Sequence, residues 1–353
     1  MVADMTPWSW FRGLDRGYRA AVAAGLALIV VGATVLGLVL GGGGSSGSSK
    51  GSDGAGPVAV TPEAPTPAAP APAGPNPLTG EADPAGKLLA VKIDNVGSTV
   101  QKAQAGLNSA DIVYAIQVEG GLSRLMAVYD SNHVPASVGP VRSARQTDLP
   151  ILAAYGKVDF AYSGAIGGLK PELAAANIFN VTPFTYKGFS HGGTDPTFIN
   201  PADVFAKFPD ADVAKDIGLR FAADVPPGGT PADSVTVRMP SSSFGFAWNG
   251  SEYLVSTDGH AAVTDGGQRD TTTNVIVQHV AVVPGKFTDF NAGHPDNEVF
   301  SVTTGSGTVD IYRNGQVYHG TWSKPTDTSP TTYSVDGAPF NLQPGRTWIV
   351  LSR

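Results

Sequence analysis

Cysteine is absent from all 353 residues. That excludes disulfide staples, a thiolate nucleophile, and a lipid-modified cysteine behind an apolar segment. The fold must hold by packing and polar pairing alone. Also missing is any His-Glu-x-x-His pattern, and none of the six histidines lies at ligand spacing from another on a helix, so no metal is expected. Gly164 to Gly168 is glycine-rich, but no Gly-Lys-Ser/Thr follows, so no nucleotide cofactor is expected. Ser163 lacks a Gly-x-Ser-x-Gly setting, because Ala161 stands where the first glycine would be. Clustered Lys/Arg is missing too. Net charge is −7, and residues 1–77 balance four acids with four bases. The outer part is therefore acidic, and nucleic acid is not an expected partner.

What is present begins with Ala20 to Leu40, 21 residues without a charge, directly after Arg12, Arg16 and Arg19. As a helix this run would span ~31 Å, near the hydrocarbon thickness of a bilayer. The positive flank places residues 1–19 in the cytoplasm, 20–40 across the cell membrane, and everything later outside. A cleaved signal peptide is the competing reading. The length of the run and the Gly41–Gly44 stretch without an Ala-x-Ala site weigh against it. Residues 41–77 are first Gly/Ser-rich and then Pro/Ala-rich. Neither composition buries enough apolar surface to fold, so a disordered spacer is expected.

From Lys87 the pattern becomes that of a folded protein. Leu88 to Ile93, Ile112 to Val118, Ser123 to Tyr129 and Val158 to Tyr162 read as strands, the second and third joined by Glu119-Gly120-Gly121 as a hairpin. Ser143 to Tyr155 carries apolar residues at helical spacing. Leu169 to Ala176 reads as a short helix, and so does Pro201 to Phe208 with Asn200 as its cap. After the breaker Pro226 to Pro231 the helical period disappears. Asn249-Gly250, Asp258-Gly259, Asn314-Gly315 and Asp336-Gly337 are tight-turn signals between β-like runs. Asn274 to Val283 suits a central strand. The expected class is α+β. A mixed N-terminal domain (78–225) leads into a mostly antiparallel β C-terminal domain (226–353), preceded by one transmembrane helix and a disordered linker.

Four blocks in order carry a family resemblance: Ile93-Asp94-Asn95, Ala105 to Tyr114, Val118-Glu119-Gly120-Gly121-Leu122-Ser123-Arg124, and Val138-Gly139-Pro140-Val141-Arg142-Ser143-Ala144-Arg145. Asn274 to Val277, Gly320-Thr321-Trp322 and Gly345 to Ile349 extend it. The chain resembles the YerB-like family, bacterial proteins of unknown function with distinct N- and C-terminal parts that are read as lipoproteins. The resemblance implies exposure at the cell envelope and brings no catalytic residue. With no cysteine to acylate, the transmembrane helix would serve as the tether.

The residues that could form a site are Glu119, Arg142, Arg145, Tyr162, Ser163 and His191. They sit at strand ends and glycine loops, where sites are built. Arg142 and Arg145, three apart at an expected helix start, would share a face and could grip a carboxylate or phosphate. One reading is a cleft for an anionic or glycan ligand. Another is acid/base hydrolysis by Glu119 and His191. The third is a structural network in which Glu119 pairs with Arg142 or Arg145, with Asp94 or Asp148 in a similar role. On that reading, removing Arg142 would strand a buried charge and cost on the order of 3 kcal/mol. Trp248, Trp322 and Trp348 read as packing of the β domain. Two functions remain open. One is a non-catalytic binding or scaffolding module for cell-wall polymer or an envelope protein. The alternative is a hydrolase acting on an envelope glycan or phosphoester.

Overall fold

A computed structural model describes residues 74–191, 197–291 and 294–353. The expected membrane segment and residues 41–73 of the expected linker lie outside them. Among the described residues no helix is long and apolar enough to cross a membrane. The fold begins earlier than residue 78. Asn76 is buried, and its Nδ2 donates to Asp83 and Asp130, both at 3.2 Å.

The centre is one large mixed sheet. Its N-terminal strands are β1 (Leu88–Asp94), β2 (Ile112–Gln117), β3 (Ser123–Asp130), β4 (Val158–Ala161) and β5 (Ile178–Val181). From one edge the order runs Ala338–Pro339, Thr332–Val335, Gln316–Lys324, Gly305–Arg313, Asn274–His279, Thr347–Ser352, then β2, β3, β1, β4 and β5. The expected β2–β3 hairpin forms. The C-terminal part is mostly antiparallel, as expected, with one exception. Thr347–Ser352 inserts between β2 and Asn274–His279 and runs parallel to both. Both expected parts thus feed one sheet.

Burial explains the composition of these strands. Leu88 and Ala90 face one side, Leu89, Val91 and Ile93 the other, and both sides are covered. Strands covered on both faces read as near-continuous apolar runs. One face packs against short helices through Leu152, Tyr155, Leu169 and Leu173. The other packs against a small antiparallel sheet carrying Phe244, Phe246, Tyr253 and Val255. There Trp348 lies against the rings of Phe244 and Phe246. Trp322 is buried as well, so these two indoles are core.

The chain is mostly β, and the helical share expected of α+β is not reached. Ser143 to Tyr155 yields only the helix Asp148–Leu152. Arg142 and Ala144 are held in bridging contacts instead, Arg142 N donating to Lys92 O and Ala144 N to Gly164 O, and the chain turns helical only from 146–147. The helix Pro201–Lys207 does form, with Asn200 Oδ1 accepting from Ala202 N. Val282–Asn291 and His294–Ser301 make a separate two-stranded ribbon.

Candidate functional site

Glu119 follows β2 in a tight turn where Gly120 (φ 65°) and Gly121 (φ 73°) adopt left-handed backbone. A Cβ on Gly121 would come within 2.6 Å of Pro240, so glycine is required there for space as well as for φ. The turn presents the Glu119 carboxylate to Arg145. Arg145 Nε donates to Oε1 at 2.5 Å and Nη2 to Oε2 at 2.8 Å, a bidentate pair with both side chains buried. Burial alone would raise the Glu119 carboxyl. The Arg145 guanidinium outweighs it and holds the group below the usual carboxylate range.

Lys92 is the outlier of the apolar run in β1. On the helix-covered face it occupies a position where leucine or valine is usual. It is fully buried, with Nζ 2.6 Å from Asp148 Oδ1. Burial lowers the ammonium's pKa, and Asp148 opposes the shift. The other oxygen, Asp148 Oδ2, accepts from Arg145 N at 2.7 Å. The helix Asp148–Leu152 is thereby tied to β1 and to the Arg145 loop.

Arg142 does not share a face with Arg145, because the helix expected to carry both is absent at 142–147. Arg142 turns outward, with its side chain about half exposed and Nε 3.2 Å from Asp94 Oδ2. Between these groups lies Arg124, directly opposite Asp94 across the β1–β3 ladder. Its Nη1 donates to Ser143 O at 3.3 Å, and its Nε is buried without an acceptor. Burial, and then the nearby Arg145 charge, pull the guanidinium down to about 10. From the ribbon, buried Glu298 accepts from Gln146 N at 2.6 Å through Oε1, while Oε2 has no partner. Burial pushes its carboxyl up to about 7 despite the bond from Gln146.

The remaining expected residues stand apart from the Glu119–Arg145 pair. Tyr162 is buried beside Phe160 and donates its hydroxyl to Asn180 Oδ1 at 2.8 Å. Ser163 is half-buried, and its N donates to Arg142 O. His191 closes the two-residue strand Ser190–His191, paired with Thr197–Phe198, and its side chain is outside the described residues. Lys92, Arg124 and Glu298 were missed as site residues. Lys92 had a signal, a lone cation in an apolar strand. Glu298 had none, because only the ribbon's folding brings it to Gln146. Among the described residues no group of three or more His, Asp or Glu converges to hold a metal ion.

Next to this network is a groove of about 770 Å³. Leu149, Leu152, Ala176, Ile178, Phe300 and Val302 give it an apolar lining, and Glu172 and Lys286 stand at its margin, 3.1 Å apart.

Fold and site together define a mostly-β protein of two sequence parts, with a charged framework closed inside it. Residues 78–207 match the N-terminal domain, and residues 235–349 the C-terminal domain, of the family described as protein of unknown function DUF3048. The chain belongs to this YerB-like family. It is 35% identical over 85 residues to "Putative lipoprotein YerB" of Bacillus subtilis strain 168, a match covering 24% of this chain and a quarter of that relative's length. The crystal structure of the YerB protein from Bacillus subtilis has the same fold, with a TM-score of 0.62 at 19% identity. That match covers 78% of this chain and 95% of the other.

Proposed function

We propose that the protein is a non-catalytic binding module of the bacterial envelope, tethered through Ala20 to Leu40, that receives an apolar segment of a protein partner in the groove. The groove's lining carries the reading. It is concave, large enough for several side chains, and more apolar than polar, with Glu172, Lys286 and Asp327 as its charged groups, the usual character of a binding site. A bare wall polymer offers little apolar surface to match Leu149, Phe300 and Val302. Glu119, which the hydrolysis reading would use as acid or base, is meanwhile engaged, since both its oxygens are taken by Arg145. The envelope location draws on the relative's description as a lipoprotein and on the apolar segment that here stands in for a lipid.

A photo-crosslinking amino acid at Ala176 in the full chain should give a discrete adduct in intact cells. The same residue at Gly337, in a hairpin turn remote from the groove lining, should not. Adding Phe300→Asp should abolish the Ala176 adduct without changing the protein's level. Equal labelling at both positions would sink the reading, as would turnover of a wall polymer that depends on Glu119.

A further inference from the structure

We propose that the carboxyl ends of β1 and β4 form a binding site for one monoanionic oxyanion group, a carboxylate or a phosphodiester, held by Arg124 with Arg142, Ser143 and Ser163. This site is separate in chemistry from the apolar groove and does not depend on it.

The inference starts from unbalanced charge. Four cations cluster here: Lys92, Arg124, Arg142 and Arg145. Four carboxylates lie in the same network: Asp94 pairs with Arg142, Glu119 with Arg145 and Asp148 with Lys92, while Glu298 accepts from Gln146 N and makes no ion pair. Arg124 is left over. It is only 9% exposed, yet it makes one hydrogen bond, to Ser143 O, and its Nε meets no acceptor. A guanidinium carries five N–H donors, and a buried charge without a partner is costly. Glu298 reaches this segment through Gln146 N and not through Arg124. Among the described residues Arg124 alone of the four cations makes no ion pair, and one unpaired guanidinium is matched by one anionic group from outside, which is why the ligand is monoanionic.

The surroundings are built to admit it. Arg142 is about half exposed beside Asp94. Ser143 and Ser163 are half-buried, and Ser163 N is bonded to Arg142 O at 3.1 Å. Gly164 opens the glycine-rich loop after β4. A Cβ there would lie 3.4 Å from Ser143 Oγ, so this glycine leaves the space beside that hydroxyl clear. β1 and β4 are parallel, and ligands of parallel strands bind beyond their carboxyl ends. Arginine forks match the paired oxygens of either oxyanion.

The test is thermal unfolding of the full chain titrated with glycerophosphoglycerol, with N-acetyl-alanine, and with uncharged glycerol. A saturable rise in Tm with at least one anion and none with glycerol is expected. The preferred anion identifies the source as a phosphodiester polymer or a peptide carboxylate. Arg124→Met should remove the response, whereas Lys286→Met, at the groove margin, should keep it. Arg142→Gln and Ser163→Val spare the Glu119–Arg145 and Lys92–Asp148 pairs and should each weaken binding about tenfold, which keeps the test decisive if Arg124→Met does not fold. No response of the wild-type chain to either anion would overturn the proposal. So would a response that survives unchanged in Arg142→Gln and Ser163→Val.

Discussion

Lys92, Arg124 and Arg145 occupy core positions, and what stabilises them differs in each case. Arg145 and Glu119 satisfy each other through two parallel bonds, and their mutual attraction offsets much of the desolvation cost. Removing one partner leaves the other stranded. Arg145→Ala is therefore expected to lower unfolding free energy by about 3 kcal/mol or more, measured by urea denaturation. Arg142→Ala removes an outward-facing pair and should cost about 1 kcal/mol or less. Equal losses from the two would contradict the assigned pairing. The sequence narrowed the partner of Glu119 to two arginines. Choosing between them required knowing that no helix forms over 142–145, which depends on the bonds of this segment to Lys92 and Gly164.

At the scale of elements, the Asx-Gly turns were the most legible features. Asp258-Gly259, Asn314-Gly315 and Asp336-Gly337 all have positive φ at both residues, the geometry that matches the twist of a two-residue hairpin. Asn249-Gly250 solves its turn differently. Only Gly250 has positive φ, and Asn249 Oδ1 accepts from the N–H groups of Ser251 and Glu252. Two of these glycines make a comparison. Gly337 (φ 78°) faces open space, so Gly337→Ala should cost about 1 kcal/mol from backbone strain alone. Gly315 (φ 69°) abuts the Trp248 indole, 2.8 Å from where a Cβ would be, so Gly315→Ala should cost clearly more. Unfolding midpoints of the two variants check the order. The Ser143–Tyr155 helix shrank to Asp148–Leu152 because apolar spacing cannot reveal that Ala144 bridges to the loop after β4, through its N–H to Gly164 O.

For the whole molecule, proton linkage gives the clearest expectation. Burial raises Asp111 to about 8 and Asp159, Asp270 and Glu298 to about 7. These groups keep protons in the folded chain that the unfolded chain releases near pH 4. Folding is then favoured at low pH, and that contribution fades as pH rises through 7 to 8. Glu119 and Asp310 are shifted the other way, so their contribution is complete above the ordinary carboxylate range and stays constant from there upward. Tm should consequently be higher at about pH 5.5 than at about pH 8, and Glu298→Gln should flatten the slope. A Tm that rises over this interval would refute the assignment of these carboxyls as buried and protonated.

The sequence by itself determined where most strands lie, how the hairpins turn, and that the fold closes without disulfides. Those features rest on alternation, composition and local backbone preference, which are written in neighbouring residues. Only the tertiary structure decided that Thr347–Ser352 enters the sheet parallel, that Arg145 rather than Arg142 meets Glu119, and that Arg124 is left without an ion-pair partner. Each of these depends on which distant segments share a buried face, and burial is a property of the assembled chain rather than of any stretch of it.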